Sequence, residues 1–143
     1  MFGTSFVSRR AALILAGLVA AAAPASALAP QKGMARPALT AFVGIERGQW
    51  AVRELDAAVA PTSICLGDPE VLTRFEHRAG ACPSQVVEDG ARSATVQYSC
   101  PSGGFGHSKV RVETPRLVRV DTQGVSGGRP FSYRLEARRT GAC

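Results

Sequence analysis

The sequence predicts a mainly β fold, an antiparallel meander sheet or a small open barrel, with one short helix at about residues 69–78 and disulfide cross-links. Three observations lead to this fold class. Apolar and polar residues alternate along most of the chain beyond residue 46, which is typical of strands with one buried face. Turn signals interrupt the alternation at short intervals. Four cysteines, Cys65, Cys82, Cys100 and Cys143, lie in the same stretch.

Residues 1–27 are predicted to be a cleavable export signal. Arg9 and Arg10 form its positive start, residues 11–23 are an apolar run, and residues 25–27 supply a small-residue cleavage site that ends at Ala27. The 13-residue run spans only about 20 Å as a helix, less than the ~30 Å hydrocarbon core of a membrane. We therefore expect a mature form without a transmembrane anchor, periplasmic or secreted, exported by the general or the twin-arginine route.

The mature chain has the length of one domain. Residues 28–45 contain three residues that interrupt regular structure, Pro30, Gly33 and Pro37, so they are predicted to be a flexible lead-in to a single β-rich domain at residues 46–143. Loss of the signal lowers the 17 basic residues to 15 against 11 acidic ones, a net charge near +4. This excess is mild. Outside the cytoplasm the positive charge favours an envelope protein, a lipid or a polysaccharide as partner, and no nucleic acid is expected. A solvated, slightly basic surface without a partner also explains the charge.

Strands are predicted where apolar residues recur at every second position. The alternating sets are Trp50 and Val52; Ala94, Val96 and Tyr98; Val110 and Val112; and Phe131, Tyr133 and Leu135. Asp89-Gly90 predicts a tight turn between two strands, and residues 101–106 form a glycine-rich loop. Because these spacings leave no room for crossover helices between the later strands, they predict an up-and-down arrangement.

The predicted helix has a recognisable start. Asp68 is suited to cap its first turn, Pro69 fits the first helical position, and Glu70 complements the positive end of the helix dipole. Val71, Leu72 and Phe75 then share one apolar side. We expect this helix to close one end or one face of the sheet.

The cysteines are predicted to form two disulfides, as expected for an even set in a small exported chain. The Asp89-Gly90 turn lies about midway between Cys82 and Cys100, so a hairpin brings these two together and leaves Cys65 for Cys143. Three connectivities are open from sequence, and this one is favoured. A zinc site is the competing interpretation, but spacings of 17, 18 and 43 residues without a CxxC pair are unlike zinc-binding patterns.

Four motifs occur together in a recognisable order. GQW at residues 48–50 opens a strand, ICLGDP at 64–69 leads into the helix, VQYSC at 96–100 closes another strand, and EARRTGAC ends the chain. In this order they resemble the Gram-negative envelope family catalogued as domain of unknown function family 3617, over about residues 46–143. The resemblance implies an exported β-rich domain with spaced cysteines, and it implies no activity.

No catalytic, cofactor-binding or metal-binding site is predicted. His77 and His107 are the two histidines, and the serines near His107 lack the turn that exposes a nucleophile. The glycine run 103–106 precedes a strand, so it is interpreted as a hairpin loop, because phosphate-binding loops precede a helix. Trp50 is expected in the core. Arg111, Arg119, Arg134 and Arg138 form a basic sheet face only in one register, which the sequence leaves open.

These observations favour a noncatalytic binding or interaction module of the cell envelope, with no cofactor and with an unknown oligomeric state. Three alternatives stay open. One is an enzyme with an unrecognised site near His77 and His107. The others are a small β-barrel inhibitor in the periplasm and a lipid binder.

Overall fold

A computed structural model describes residues 38–143, so the predicted signal and residues 28–37 of the lead-in lie outside it. Its seven strands form one antiparallel sheet, which confirms the mainly β fold. The strands are β1 (Gly48–Glu54), β2 (Thr62–Leu66), β3 (Ser84–Asp89), β4 (Ser93–Ser99), β5 (Phe105–Thr114), β6 (Leu117–Ser126) and β7 (Arg129–Gly141). The sheet is open, with β2 and β3 as its edges, so the meander is observed and the barrel is not.

The strand order is β2-β1-β7-β6-β5-β4-β3. Strands β3 to β7 follow one another as an up-and-down meander, and the β1–β2 hairpin adds to the far side of β7. The chain must therefore cross the whole sheet between β2 and β3. It does so through a helix at Pro69–His77, the crossover helix, which packs against β5 and β6.

This crossing gives the sheet two unlike faces. The covered face lies under the crossover helix, and its central side chains are almost fully buried, Trp50 and Val110 at 0% exposure. The open face is formed by the alternate residues of the same strands and carries charged and polar side chains. The core therefore lies on one side of the sheet only. It includes Leu39, Phe42, Trp50, Val52, Leu66, Leu72, Val96, Val110, Val118, Val120 and Leu135.

Residues 38–45 differ from the predicted flexible lead-in. Leu39, Phe42 and Ile45 belong to the core, and residues Thr40–Phe42 form a turn of 3₁₀ helix. These three apolar residues are spaced by three positions, which places them on one side of such a turn. Asp89 holds the turn in place, because its carboxylate accepts hydrogen bonds from the Thr40 amide and hydroxyl at 3.0 Å each. The folded domain thus begins before residue 46.

The crossover helix lies where the sequence predicts a helix, and its start is the predicted one. The Asp68 side chain accepts a hydrogen bond from the Glu70 amide at 2.9 Å, and Pro69 takes the first helical position. The helix is of the 3₁₀ type, and Arg74 interrupts it with non-helical backbone angles. In a 3₁₀ helix residues three apart share a side, so Leu72 and Phe75 both reach the core.

Two disulfides join Cys65 to Cys143 and Cys82 to Cys100, the favoured connectivity. The Cα atoms are 5.7 Å apart in the first and 4.3 Å apart in the second. Cys65 lies in β2, just before the crossover helix, and Cys82 follows that helix. The first cross-link therefore joins the edge strand β2 to the end of the chain after β7, and the second joins the segment after the crossover helix to the end of β4.

Candidate ligand-binding face

The open face carries six cationic side chains in the register of the four neighbouring strands β1, β7, β6 and β5. Arg111 on β5 lies opposite Arg119 on β6, and Arg119 lies opposite Glu136 on β7. The register confirms that the four arginines predicted as a possible basic face do share one. The full set is Arg53, Lys109, Arg111, Arg119, Arg134 and Arg138.

One carboxylate lies among three of these guanidinium groups. The Glu136 carboxylate is 3.2 Å from Arg53, 3.6 Å from Arg119 and 3.6 Å from Arg138. Its side chain is 12% exposed, whereas the three arginine side chains are more than half exposed. A single negative charge thus leaves this group with a positive excess that faces solvent.

Arg111 is placed unfavourably for folding. It lies directly opposite Arg119, and like charges in such a cross-strand pair are destabilising. Within residues 38–143, Arg111 has neither an ion pair nor a hydrogen-bond partner for its guanidinium. Arg134, on the same face, differs because its Nε donates a hydrogen bond to Asp56 at 3.0 Å. The hydrogen bonds from Arg134 hold the pKa of Asp56 below its ordinary value.

Three adjoining depressions mark the open face, and together we call them the open-face groove. The smallest, about 190 Å³, is lined by Arg111, Arg119 and Arg134 among others. The second, about 440 Å³, shares Arg134 and Asp121 with it and adds Asp56, His107 and Lys109. The largest, about 510 Å³, shares His107 with the second. The groove therefore leads from a cationic end towards β3 and β4.

The middle of the groove is neutral and polar. One row of the register crosses five strands and consists of Gln85, Gln97, His107, Gln123 and Ser132. Gln97 Nε2 lies 3.4 Å from His107 Nδ1. The other three side chains of the row are exposed to solvent. Beyond this row lies Phe105, which lines the largest depression and is 55% exposed.

The two histidines lie on opposite faces of the sheet. His107 belongs to the open face, whereas His77 ends the crossover helix and packs edge-on against Tyr98 on the covered face. His77 Nδ1 is 3.1 Å from the Tyr98 hydroxyl. Ser108, next to His107, is fully buried and shares a hydrogen bond of 2.8 Å with Thr122. A site that uses both histidines with a neighbouring serine is not formed by residues 38–143.

Both tyrosines lie on the covered face and stay protonated to high pH. Burial, with a smaller contribution from the Glu76 carboxylate, raises the pKa of Tyr98 to about 12. Burial also raises the pKa of Tyr133, whose hydroxyl donates a hydrogen bond to Glu76 at 2.9 Å. These phenols act as neutral structural groups rather than as bases.

The remaining candidates have structural roles. Trp50 is fully buried, as expected, and its indole donates a hydrogen bond to the Glu46 carbonyl at 3.1 Å. Of the glycine run, Gly103 and Gly104 lie in the loop of the β4–β5 hairpin with φ of +94° and +98°, whereas Phe105 and Gly106 already belong to β5 and not to the predicted loop. Throughout the described residues, no three His, Cys, Asp or Glu side chains are grouped to hold a metal ion. Within that part of the chain no helix has the length and apolarity to cross a membrane.

Fold and site together define a disulfide-linked, open-sheet domain with one cationic, solvent-facing groove. No family model, no curated protein and no solved structure matches the chain. The resemblance to the envelope family catalogued as 3617 therefore stays a prediction. The sequence contains the residues of the groove, but their grouping depends on strand register and on the placement of β1 beside β7.

Proposed function

We propose that this chain is an exported, noncatalytic binding module of the cell envelope, and that its open face holds an anionic ligand. Two disulfides indicate an oxidising compartment rather than the cytoplasm. The predicted signal at residues 1–27 directs the chain to the periplasm or the exterior. The domain at residues 38–143 would then act there as a mature protein.

The observation that carries the proposal is the opposed pair Arg111 and Arg119. Among the described residues Arg111 has no ion pair and no hydrogen bond from its guanidinium, although Asp121 lines the same depression, and its position opposite Arg119 opposes folding. A bound anion removes that repulsion, and guanidinium groups form strong, charge-assisted hydrogen bonds with carboxylates, sulfates and phosphates. Arg134 completes the depression of about 190 Å³ around this pair. The arrangement therefore favours anion binding over a purely structural role.

The enzyme alternative has less support. His77 and His107 lie on opposite faces, and the four cysteines are held in disulfides. Neither histidine has a nucleophile and an orienting carboxylate beside it among the contacts of the described residues, as a catalytic triad requires. The barrel-based alternatives, an inhibitor or a lipid binder, lose their geometric basis because the sheet is open.

The test is calorimetric titration of the oxidised, exported protein with sulfated dextran and with uncharged dextran of the same length. We expect binding of the sulfated polymer only, weakening as salt rises, because exposed charge pairs are screened. Arg111→Gln should weaken this binding about three- to tenfold, as for loss of one partly exposed charge-assisted contact.

Arg129→Gln is the matched control, because Arg129 is an exposed arginine at the β6–β7 turn and does not line the groove. It removes the same charge from the protein and should leave the affinity nearly unchanged. Equal losses for Arg111→Gln and Arg129→Gln would reduce the effect to net charge and contradict a specific anion site.

A further inference from the structure

We infer that the ligand of the open-face groove is an acidic oligosaccharide, a chain of sugars that bears carboxylates. This inference rests on the proposed anion-binding function and narrows it to one chemical class. It requires three features in one groove: cations for the carboxylates, neutral hydrogen-bonding groups for the hydroxyls, and an apolar platform for a sugar ring. The open face has all three in adjoining rows.

The neutral row supplies the hydroxyl contacts. Gln85, Gln97, His107, Gln123 and Ser132 occupy neighbouring strands, so the row extends about 19 Å across four strand spacings. A glutamine amide offers donors and an acceptor, which match a hydroxyl that both donates and accepts. A ligand with hydroxyls along its length can form hydrogen bonds with both the donors and the acceptors of this row, whereas a simple anion has no donors for the acceptors.

Cationic and neutral groups meet in the second depression. Lys109 and Arg134 line it together with His107, Gln123 and Ser132. Asp56 and Asp121 also line it: Asp56 forms an ion pair with Arg134, and Asp121 lies opposite Lys109. Lys109 follows His107 by two residues on β5, so the cation and the neutral group lie about 7 Å apart along one strand and on the same face. The hydroxyls of a sugar fit this depression, and a carboxylate on the next unit fits the adjoining cationic end, where Arg111 and Arg119 lie.

Phe105 supplies the apolar platform. Its ring is 55% exposed and lines the largest depression beside Gln97 and His107. The C–H face of a sugar ring packs against an aromatic face through dispersion, while its hydroxyls stay free for the neighbouring amides. An exposed phenylalanine with hydrogen-bonding neighbours is thus suited to a ring with one apolar side.

An anionic membrane fits this face less well. Of the other large apolar residues that are exposed, only Leu55 lines the groove, at the end away from Phe105. Beside Phe105 the apolar surface is limited to residues such as Val125, opposite it on β6, and Pro83, so acyl chains would have a small area on which to rest. The groove interior is polar across all five strands of the neutral row. A lipid surface would use the cations and leave that row without partners. These other exposed residues are Val43, Leu55, Val59, Val86 and Val87, of which only Leu55 borders the cationic end.

The experiment compares a short oligogalacturonate with its fully methyl-esterified form, which has the same sugars and no charge. Binding to the oxidised, exported protein is measured by calorimetry at fixed salt. We expect the acid form to bind and the ester to bind at least tenfold more weakly, because the ester loses the charge-assisted contacts. Two further probes run in parallel: polyglutamate of similar charge, and vesicles that contain phosphatidylglycerol.

Variants separate sugar recognition from charge attraction. Phe105→Ala and Gln97→Ala should each weaken oligogalacturonate binding about threefold to tenfold and leave the binding of polyglutamate, which has no sugar ring, nearly unchanged. Val87→Ala is the control for Phe105→Ala, because Val87 is similarly exposed, at 53%, on the edge strand β3 and outside the groove. Both substituted groove residues are exposed, so folding should be retained and circular dichroism checks it.

The outcomes distinguish the two proposals. Preferential binding of oligogalacturonate that depends on Phe105 and Arg111 supports the acidic glycan. If polyglutamate or the vesicles bind as well or better, and Phe105→Ala has no effect, the glycan inference is wrong while anion binding stands. If none of the anionic probes binds, the proposed function is itself wrong.

Discussion

The two faces of the sheet are built from the same strands, but they differ in the burial and the charge of their side chains. On β5, Val110 is fully buried on the covered face, while its neighbours Lys109 and Arg111 are exposed on the open face. Alternation along a strand sends successive side chains to opposite faces. One face thus contributes the stability of the domain, and the other is free to carry groups that stability does not require.

The difference shows how to separate structural from functional residues in this chain. On the covered face Ser108 and Thr122 share a hydrogen bond, whereas Arg74 Nε and His77 Nε2 of the crossover helix are buried without a hydrogen-bond partner. On the open face Arg111 has none within the described residues and opposes Arg119. A side chain that destabilises the folded state and makes no stabilising contact within it is the better candidate for a function.

The largest expected effect concerns the two disulfides. Cys65→Ser with Cys143→Ser should lower the free energy of unfolding by about 4.5 kcal/mol, because it opens the longer loop, of 78 residues. Cys82→Ser with Cys100→Ser, whose loop is 18 residues, should lower it by about 3 kcal/mol. Urea unfolding under oxidising conditions measures both. A larger loss for the shorter loop would contradict the loop-entropy account.

A core substitution tests the comparison directly. Trp50→Ala should lower the free energy of unfolding by about 3–5 kcal/mol, because it removes the largest fully buried side chain of the covered face. Gln123→Ala, which also truncates a side chain to alanine but on the open face, should alter the free energy of unfolding by less than about 0.5 kcal/mol. Similar losses for the two variants would mean that the open face is also part of a packed core.

The tyrosines report on the covered face through pH. Both have a pKa raised above the ordinary value of 10.0, to about 12 for Tyr98. The unfolded chain releases these protons near pH 10 and the folded one does not. The stability they contribute is therefore present below pH 10 and is lost as the pH rises towards 12. Tyrosinate absorbance should rise together with the loss of circular dichroism, and free ionisation near pH 10 in a folded protein would contradict this burial.

The smallest expected effect is an increase in stability. Arg111→Gln should raise the free energy of unfolding by about 0.2–1 kcal/mol, because it removes the like-charge pair with Arg119. Arg129→Gln should leave stability unchanged. Urea unfolding of the two variants side by side, without ligand, measures the difference. If Arg111→Gln is instead destabilised, Arg111 has a structural role and its assignment to the ligand is weakened.

Local patterns in the sequence were sufficient for much of the fold. Period-two alternation predicted the strands, Asp68-Pro69-Glu70 predicted the start of the crossover helix, and the Asp89-Gly90 hairpin led to the cysteine pairing. The spacing of Leu39, Phe42 and Ile45 was a usable signal, but prolines upstream favoured a flexible lead-in. Its partner, Asp89, lies 49 residues from Thr40, a contact that no local pattern indicates.

The open-face groove could not be predicted from local patterns either, because it is formed by residues that are far apart in the sequence. It needs Arg111, Arg119 and Arg134 in register on three strands, and register depends on turns and on bulges such as the one between Val112 and Thr114. It also needs β1 beside β7, a pairing between the two ends of the domain. Each is decided by packing of the whole covered face rather than by the residues that line the groove.

The central claim is that the open face binds anions and the covered face does not. Its most direct test is a two-dimensional NMR titration of the oxidised protein with sulfated dextran, observing the arginine Nε–H and tryptophan indole N–H signals. We predict shifts for Arg111, Arg119 and Arg134, with no shift for the Trp50 indole, which is hydrogen-bonded to Glu46 beneath the cover. Shifts in the crossover helix and around Trp50, with those three arginines unmoved, would contradict the claim.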